Sequence, residues 1–176
     1  MPIDNLILID YLNQHPQELA TVSAFQEFIH TPAETTQQHH LRSAAWIIDP
    51  ENLNVLLHQL PQQDWSPPNQ AITSNTNSQQ MIQAGTQGLN IETIQPPAPT
   101  IFHLEVQYQA NQQHTPEHYR YLLYFIHICT NSRHIPANSR WFSPAELFTH
   151  RHLHSCVHTL AKKWQWLSTQ EPVAMN

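Results

Sequence analysis

Apolar positions in the first thirty residues recur at helical intervals. The stretch 3–13 predicts a short helix that must stop before Pro16, since the residue preceding proline avoids the helical region. A second helix is expected over 17–30, with Leu19, Val22, Phe25 and Ile29 on one face and Pro32 closing it. The polar stretch 33–39 reads as a connection. Strands are expected over 44–49 and 55–58, flanking the turn Pro50-Glu51-Asn52-Leu53-Asn54. Residues 59–80 are poor in apolar groups, and a helix follows over about 78–87, ended by Gly88. A short strand at 91–94 leads into an extended link through Pro96, Pro97 and Pro99. Residues 101–108 alternate, with Phe102, Leu104, Val106 and Tyr108 on one side. The run 119–129 reads as a central strand buried on both faces. Ser143-Pro144-Ala145-Glu146 has the form of a capping box with proline at the first helical position. The last helix, about 152–167, places Leu153, Val157, Leu160, Trp164 and Leu167 on one stripe. No internal repeat interrupts this order, which describes an α+β or three-layer domain.

Composition narrows the function. Charged residues make up 11% of the 176, against about 25% in ordinary soluble domains. Twenty Gln and twelve Asn occupy much of the surface that charges usually hold. The only glycines, Gly85 and Gly88, are too few for a glycine-rich phosphate loop. The formal charge is −6, and of the seven cations only Lys162 and Lys163 adjoin, so backbone-mediated nucleic-acid binding is not expected. No stretch approaches the ~20 apolar residues of a membrane span, and the acidic opening lacks the basic start of a signal sequence, so a cytoplasmic protein is expected. Cys129 and Cys156 cannot make a disulfide framework, and no CxxC occurs.

Three groups of residues could carry chemistry. His150, His154 and His158 are spaced by four; on a helix an adjacent pair, about 6 Å apart along the axis, could share a zinc-like ion, whereas all three could not. His127 lies two residues before Cys129 on one strand face, a thinkable base–thiol pair set against simple core packing. His118, Tyr119, Arg120, Tyr121 and Tyr124 put aromatic and basic groups on one strand, and His103 and Glu105 share a face of the strand before it. There Arg120 could meet an anion and the tyrosines could stack on a ring.

Several segments resemble the Nudix hydrolase family. The run His40-Leu41-Arg42-Ser43-Ala44-Ala45-Trp46-Ile47-Ile48-Asp49-Pro50, then Val55-Leu56-Leu57 and Trp65, is similar to the opening of its bacterial members. Residues 118–126 resemble a paired strand of that family, and Arg140-Trp141-Phe142-Ser143-Pro144-Ala145-Glu146-Leu147 resembles its entry to the last helix. The resemblance covers 17–167 and implies a three-layer α/β/α sandwich with a mixed sheet. It implies a helical extension at 1–36, a Nudix-like domain at 37–170 and a tail at 171–176.

The family's defining box is G-x5-E-x7-R-E-U-x-E-E-x-G-U, U being a bulky aliphatic. Anchored on Gly88-Leu89, its glycine falls on Pro67, its first glutamate on Thr73, its arginine on Met81 and the next glutamate on Ile82. The glutamate pair falls on Gly85 and Thr86. In the family these carboxylates hold Mg²⁺, a hard ion that takes oxygen ligands, against a diphosphate. Here no Asp or Glu occurs between Asp64 and Glu92, so shifting the alignment restores none. The expectation is a Nudix-like protein without metal-dependent diphosphate hydrolysis, needing no cofactor and binding a small molecule or a protein partner. Trp65, Arg120 and Tyr124 are its expected ligand contacts. One alternative is an enzyme of metal-free acid–base chemistry using His103, Glu105, His118 and Tyr121. Another is a hydrolase whose ligands have moved to Glu92, Glu105 or Glu117.

Overall fold

The computed structural model describes residues 5–31, 39–61, 64–73, 76–95, 101–110, 117–131 and 135–170. The expected connection at 33–39 (His39 apart), the proline link at 96–99 and the tail at 171–176 lie outside them. The class is α+β. Contacts divide the chain into two units, and the strands β1 (His39–Ile48) and β7 (His118–Asn131) pass from one into the other.

The first unit comprises Met1–Ala45, Asn69–Gly88 and Gln95–His127. It opens with α1 (Asn5–Gln14), a single 3₁₀ turn at Pro16–Glu18 and α2 (Leu19–His30). The proline starts a new turn after α1 stops, because it can begin a helical segment but not continue one. The buried face of α2 is Val22, Phe25 and Phe28. Leu19, expected there, is 58% exposed, since it stands at the first position of α2, before the helix meets its neighbours. β6 (His103–Gln109) pairs antiparallel with β7 in the register His103 opposite Tyr124 through Gln109 opposite His118. The first part of β1 pairs with β4 (Asn69–Ala71), Arg42 opposite Ala71.

One core serves this unit: Leu8, Tyr11, Val22, Phe25 and Phe28 from the helices meet Leu104, Tyr121, Leu123 and Phe125 from the strands. Met81, Ile82 and Ala84 of α3 (Ser78–Ala84) join the same cluster. α3 starts with a full capping box, Asn77 Oδ1 accepting from the Gln80 N–H at 2.8 Å and Gln80 Oε1 from the Asn77 N–H at 3.1 Å. Beyond it the chain turns at Gly88, whose φ of 79° suits glycine.

The second unit comprises Trp46–Pro68, Leu89–Ile94 and Ile128–Asn176. β2 (Val55–Gln59) lies between the end of β1 and β8 (Ser139–Phe142), and also pairs with the short β3 (Trp65–Ser66). The turn between β1 and β2 is held by Asp49, whose carboxylate accepts from the Glu51 N–H and from the Asn52 amide, both at 3.0 Å. β5 (Glu92–Ile94) pairs with the end of β7. The capping box at Ser143 is present: its N–H and hydroxyl each donate to Glu146 Oε2 at 2.9 Å. It opens only the one-turn α4 (Glu146–Thr149).

The last helix, α5, runs Ser155–Gln170 and starts three residues later than its apolar stripe suggests. The reason is backbone pairing: the Trp65 N–H donates to the His152 carbonyl at 2.8 Å, and the His154 N–H to the Trp65 carbonyl at 2.9 Å. Residues 152–154 are held by their backbone against β3, so Leu153 precedes the helix, while Val157 and Leu160 are buried along it. Among the described residues no helix is long and apolar enough to cross a membrane.

Candidate functional site

Strand alternation gives the β6–β7 pair of the first unit two unlike faces. Leu104, Val106, Tyr121 and Leu123 fall on one and pack into the core with the helices. His103, Glu105, Gln107 and Gln109 fall on the other, opposite Tyr124, Leu122, Arg120 and His118. This second face is the candidate site.

At one end of it the Tyr124 hydroxyl donates to Glu105 Oε2 at 2.6 Å, and the His103 ring lies 5.7 Å from the Tyr124 ring. The helical segment supplies two further groups. The Tyr11 hydroxyl donates a short hydrogen bond to Glu18 Oε2 and accepts the Leu104 N–H at 3.2 Å. His103 Nδ1 stands 3.6 Å from the same Glu18 oxygen, close enough for an ion pair once the ring is protonated. Burial, followed by the hydrogen bond to Glu18 and its charge, holds the Tyr11 hydroxyl far above the ordinary phenol value.

At the other end His118 stacks on His40 of β1, ring centroids 4.5 Å apart and 29° between planes. Arg42, two residues along β1, donates from Nε to Asn69 Oδ1 at 2.6 Å. Burial, and then repulsion from Arg120, holds the Arg42 guanidinium below its usual value. Arg120 Nε is buried and, among the described residues, has no hydrogen-bond partner.

Of the sequence candidates, His103, Glu105 and Tyr124 therefore sit together, and Arg120 and His118 sit further along the same face. Tyr121 does not join them. Its ring stacks on Phe28 at 4.2 Å and meets Phe25 edge-on, and burial pushes its hydroxyl up. Trp65 belongs to the second unit, where it packs on Phe142 at 5.2 Å. Nothing in the sequence marks Tyr11 or Glu18 as site residues. For His40 and Arg42 the signal is the alternation His40-Leu41-Arg42, which lies before the expected strand start at 44 but within β1.

The positions aligned with the family box are distributed otherwise. Met81 and Ile82 are core residues of α3, and Thr73 caps a turn, its N–H donating to Thr76 Oγ1 at 3.0 Å. Pro67 is buried in the second unit. The Thr86 hydroxyl donates to the Gln83 carbonyl at 2.9 Å. Gly85 lies so close to β1 that a Cβ would stand 2.6 Å from the Ala45 nitrogen.

In the second unit His150 and His154 precede α5, and only His158 lies on it. The helical spacing that would bring an adjacent pair to a common ion is therefore missing, and among the described residues no three His, Cys, Asp or Glu side chains converge on a metal position. His154 Nδ1 instead faces Cys156 Sγ at 3.1 Å. His127 and Cys129 do not form a base–thiol pair: His127 Nε2 bonds the Ile82 carbonyl at 3.1 Å, and burial pushes the Cys129 thiol up, away from the reactive thiolate. An apolar hollow of about 300 Å³ in this unit, lined by Leu53, Leu147, Phe148, Ala161 and Trp164 among others, has no ionisable group among its described lining residues.

The architecture is that of the Nudix fold. A Nudix-family hydrolase from Clostridium perfringens superposes with a TM-score of 0.52 at 14% identity, covering 73% of this chain and 97% of its own. An Ap4A hydrolase from Caenorhabditis elegans, in a binary complex, is 15% identical and covers 74% of this chain and 97% of its own, with a TM-score of 0.48. A Nudix hydrolase from Nitrosomonas europaea is 13% identical over 72% of this chain and 88% of its own, with a TM-score of 0.47. The first likeness establishes the fold and, at its identity, the fold alone. No family sequence model and no curated protein sequence matches the chain.

Proposed function

We propose that this chain is a Nudix-fold binding protein that has lost metal-dependent diphosphate hydrolysis. It holds a small ligand on the polar face of β6 and β7 through Arg120. Tyr124, the other contact expected from sequence on this face, is fully buried and bonded to Glu105, so it does not touch the ligand. Residues 37–170 are the scaffold in this reading and 1–36 a helical extension whose Tyr11 and Glu18 reach the site's edge.

One observation carries the reading: the helix that would grip the metal has no oxyanion to offer. α3 presents Gln79, Gln80 and Gln83 to solvent and sends Met81, Ile82 and Ala84 into the core. Gln80 is engaged with Asn77 in the capping box. At position 85, where the family carries a glutamate, the close approach of the Ala44–Ala45 backbone leaves no room for a side chain. Mg²⁺ sheds water reluctantly and is usually held by at least one or two carboxylates, so this donor set does not suit it.

A second reading has one observation in its favour. The Tyr11–Glu18–His103 and Tyr124–Glu105 groups could move protons without a metal, on a substrate less charged than a diphosphate. This differs from the foursome expected from sequence, since Tyr121 is in the core. Incubation with nucleoside diphosphate derivatives in Mg²⁺ or Mn²⁺, followed by chromatography, tests the main reading. Product at the buffer rate is expected; metal-dependent turnover of many equivalents per protein would overturn it.

A further inference from the structure

Two strands of the first unit repeat one small pattern. β1 carries His40 and Arg42, and β7 carries His118 and Arg120, each pair two residues apart and so on one face of its strand. The 4.5 Å stacking of the two imidazoles shows that the patterned faces are the same face. On that face the Arg42 and Arg120 guanidiniums are close enough to repel each other. Among the described residues neither guanidinium has a carboxylate partner. Asn69, a neutral amide, orients the Arg42 fork, its side-chain oxygen on Nε and its carbonyl 3.5 Å from Nη2. Gln107, also neutral, stands opposite Arg120. Glu105, the acid closest in register, already accepts the Tyr124 hydroxyl.

An isolated chain gains nothing from this. Two half-buried cations side by side oppose folding, and a buried donor such as Arg120 Nε without an acceptor opposes it further. Both defects vanish when an anion with several acceptor oxygens enters between the forks. Guanidinium forks match phosphoryl oxygens in a bidentate manner, and the imidazoles add donors to the rim. A doubly charged group balances two guanidiniums where a single carboxylate would balance one.

We infer that His40, Arg42, His118 and Arg120 form a receptor for a phosphoryl group, which anchors the ligand without a metal. The inference rests on the binding-protein reading and names the ligand's chemistry. The glutamine-rich α3 and this cluster then divide two roles that a metal would otherwise combine: the charge on phosphate is met by side chains, and α3 offers no carboxylate to hold an ion that would activate water.

The test is thermal unfolding in EDTA at fixed ionic strength with inorganic phosphate, ribose 5-phosphate, a nucleoside monophosphate and malonate as probes. The wild type should gain stability with the phosphoryl probes in a saturable manner. Arg120→Gln and Arg42→Gln should each weaken phosphate binding at least tenfold, and Arg140→Gln, which removes the pair with Glu146 and the contact with the Phe142 ring in the second unit, should leave it unchanged. Without ligand, Arg120→Gln should unfold at a higher urea concentration than the wild type, because repulsion and the orphaned donor are gone. Esters binding more tightly than free phosphate would identify the group as part of a larger ligand; equal binding would identify free phosphate. No response in the wild type, an unchanged response in Arg120→Gln, or malonate matching phosphate would overturn the receptor. None of these bears on hydrolysis, whose return would be read separately as metal-dependent turnover.

Discussion

Replacing His127 by glutamine should flatten the acid side of the stability profile. His127 is fully buried on β7, and its Nε2 donates to the Ile82 carbonyl on α3 at 3.1 Å. Burial pushes its pKa down from 6.5 to about 4, the carbonyl bond opposing this only in part. Between those values the unfolded chain takes up a proton that the folded chain refuses. Stability is therefore fully present above about pH 6.5 and is lost as the pH falls towards 4. Each pH unit of difference corresponds to about 1.4 kcal/mol, so the whole interval amounts to about 3 kcal/mol. Between pH 7 and pH 5 the loss from this residue alone comes to about 2 kcal/mol. Glutamine can donate the same bond without titrating. Urea unfolding of both proteins at the two pH values isolates the residue, since the other thirteen histidines are common to both. The wild type should lose about 2 kcal/mol more than the variant. Parallel profiles, or an imidazole titrating near 6.5 by NMR, would show that position 127 is wet and that α3 does not seal this part of the strand.

Gly85→Ala should lower stability by about 1–3 kcal/mol, as overpacking does, because its methyl group would meet the β1 backbone; a denaturant midpoint at or above the wild type's would show that α3 does not approach so closely. Tyr11→Phe should cost about 1–3 kcal/mol in the same assay, since the Leu104 N–H and the Glu18 carboxylate lose their shared hydroxyl. A neutral outcome would mean that water replaces it. The fourteen histidines carry the net charge from −6 towards +8, so it should cross zero around pH 6, with a turbidity maximum there; flat turbidity from pH 5 to 8 would contradict it.

Much of the scaffold is legible in the chain. The apolar run at 119–129 predicts β7, alternation at 101–108 predicts β6, and the turn at 50–54 lies where proline, acid and amide place it. Helix α3 starts at its expected residue, capped by Asn77, but ends at Ala84, three residues short of expectation, and turns carry the chain on to Gly88. The start of β1 is less legible, because His39, His40, Arg42 and Ser43 carry no apolar alternation and the strand is defined there by its pairing with β4. Residues 152–154 have helical spacing and yet lie outside the helix, since Trp65 claims their backbone groups. Within β7 an apolar run on both faces cannot show which tyrosine meets the core; Phe25 and Phe28 claim Tyr121 and leave Tyr124 to Glu105.

By itself the sequence determined an α+β chain and a helix α3 without carboxylates, because composition and periodicity are local properties. It also determined the supply of histidine, arginine and amide from which any site must be built. Only the tertiary structure decided which of these meet. Residues 40 and 118 are 78 positions apart in the chain and become neighbours because the first parts of β1 and β7 belong to one unit. Glu18 reaches His103 because α1 and α2 share a core with β6. Contacts of that range depend on which faces are buried against which, and no window of sequence contains both partners.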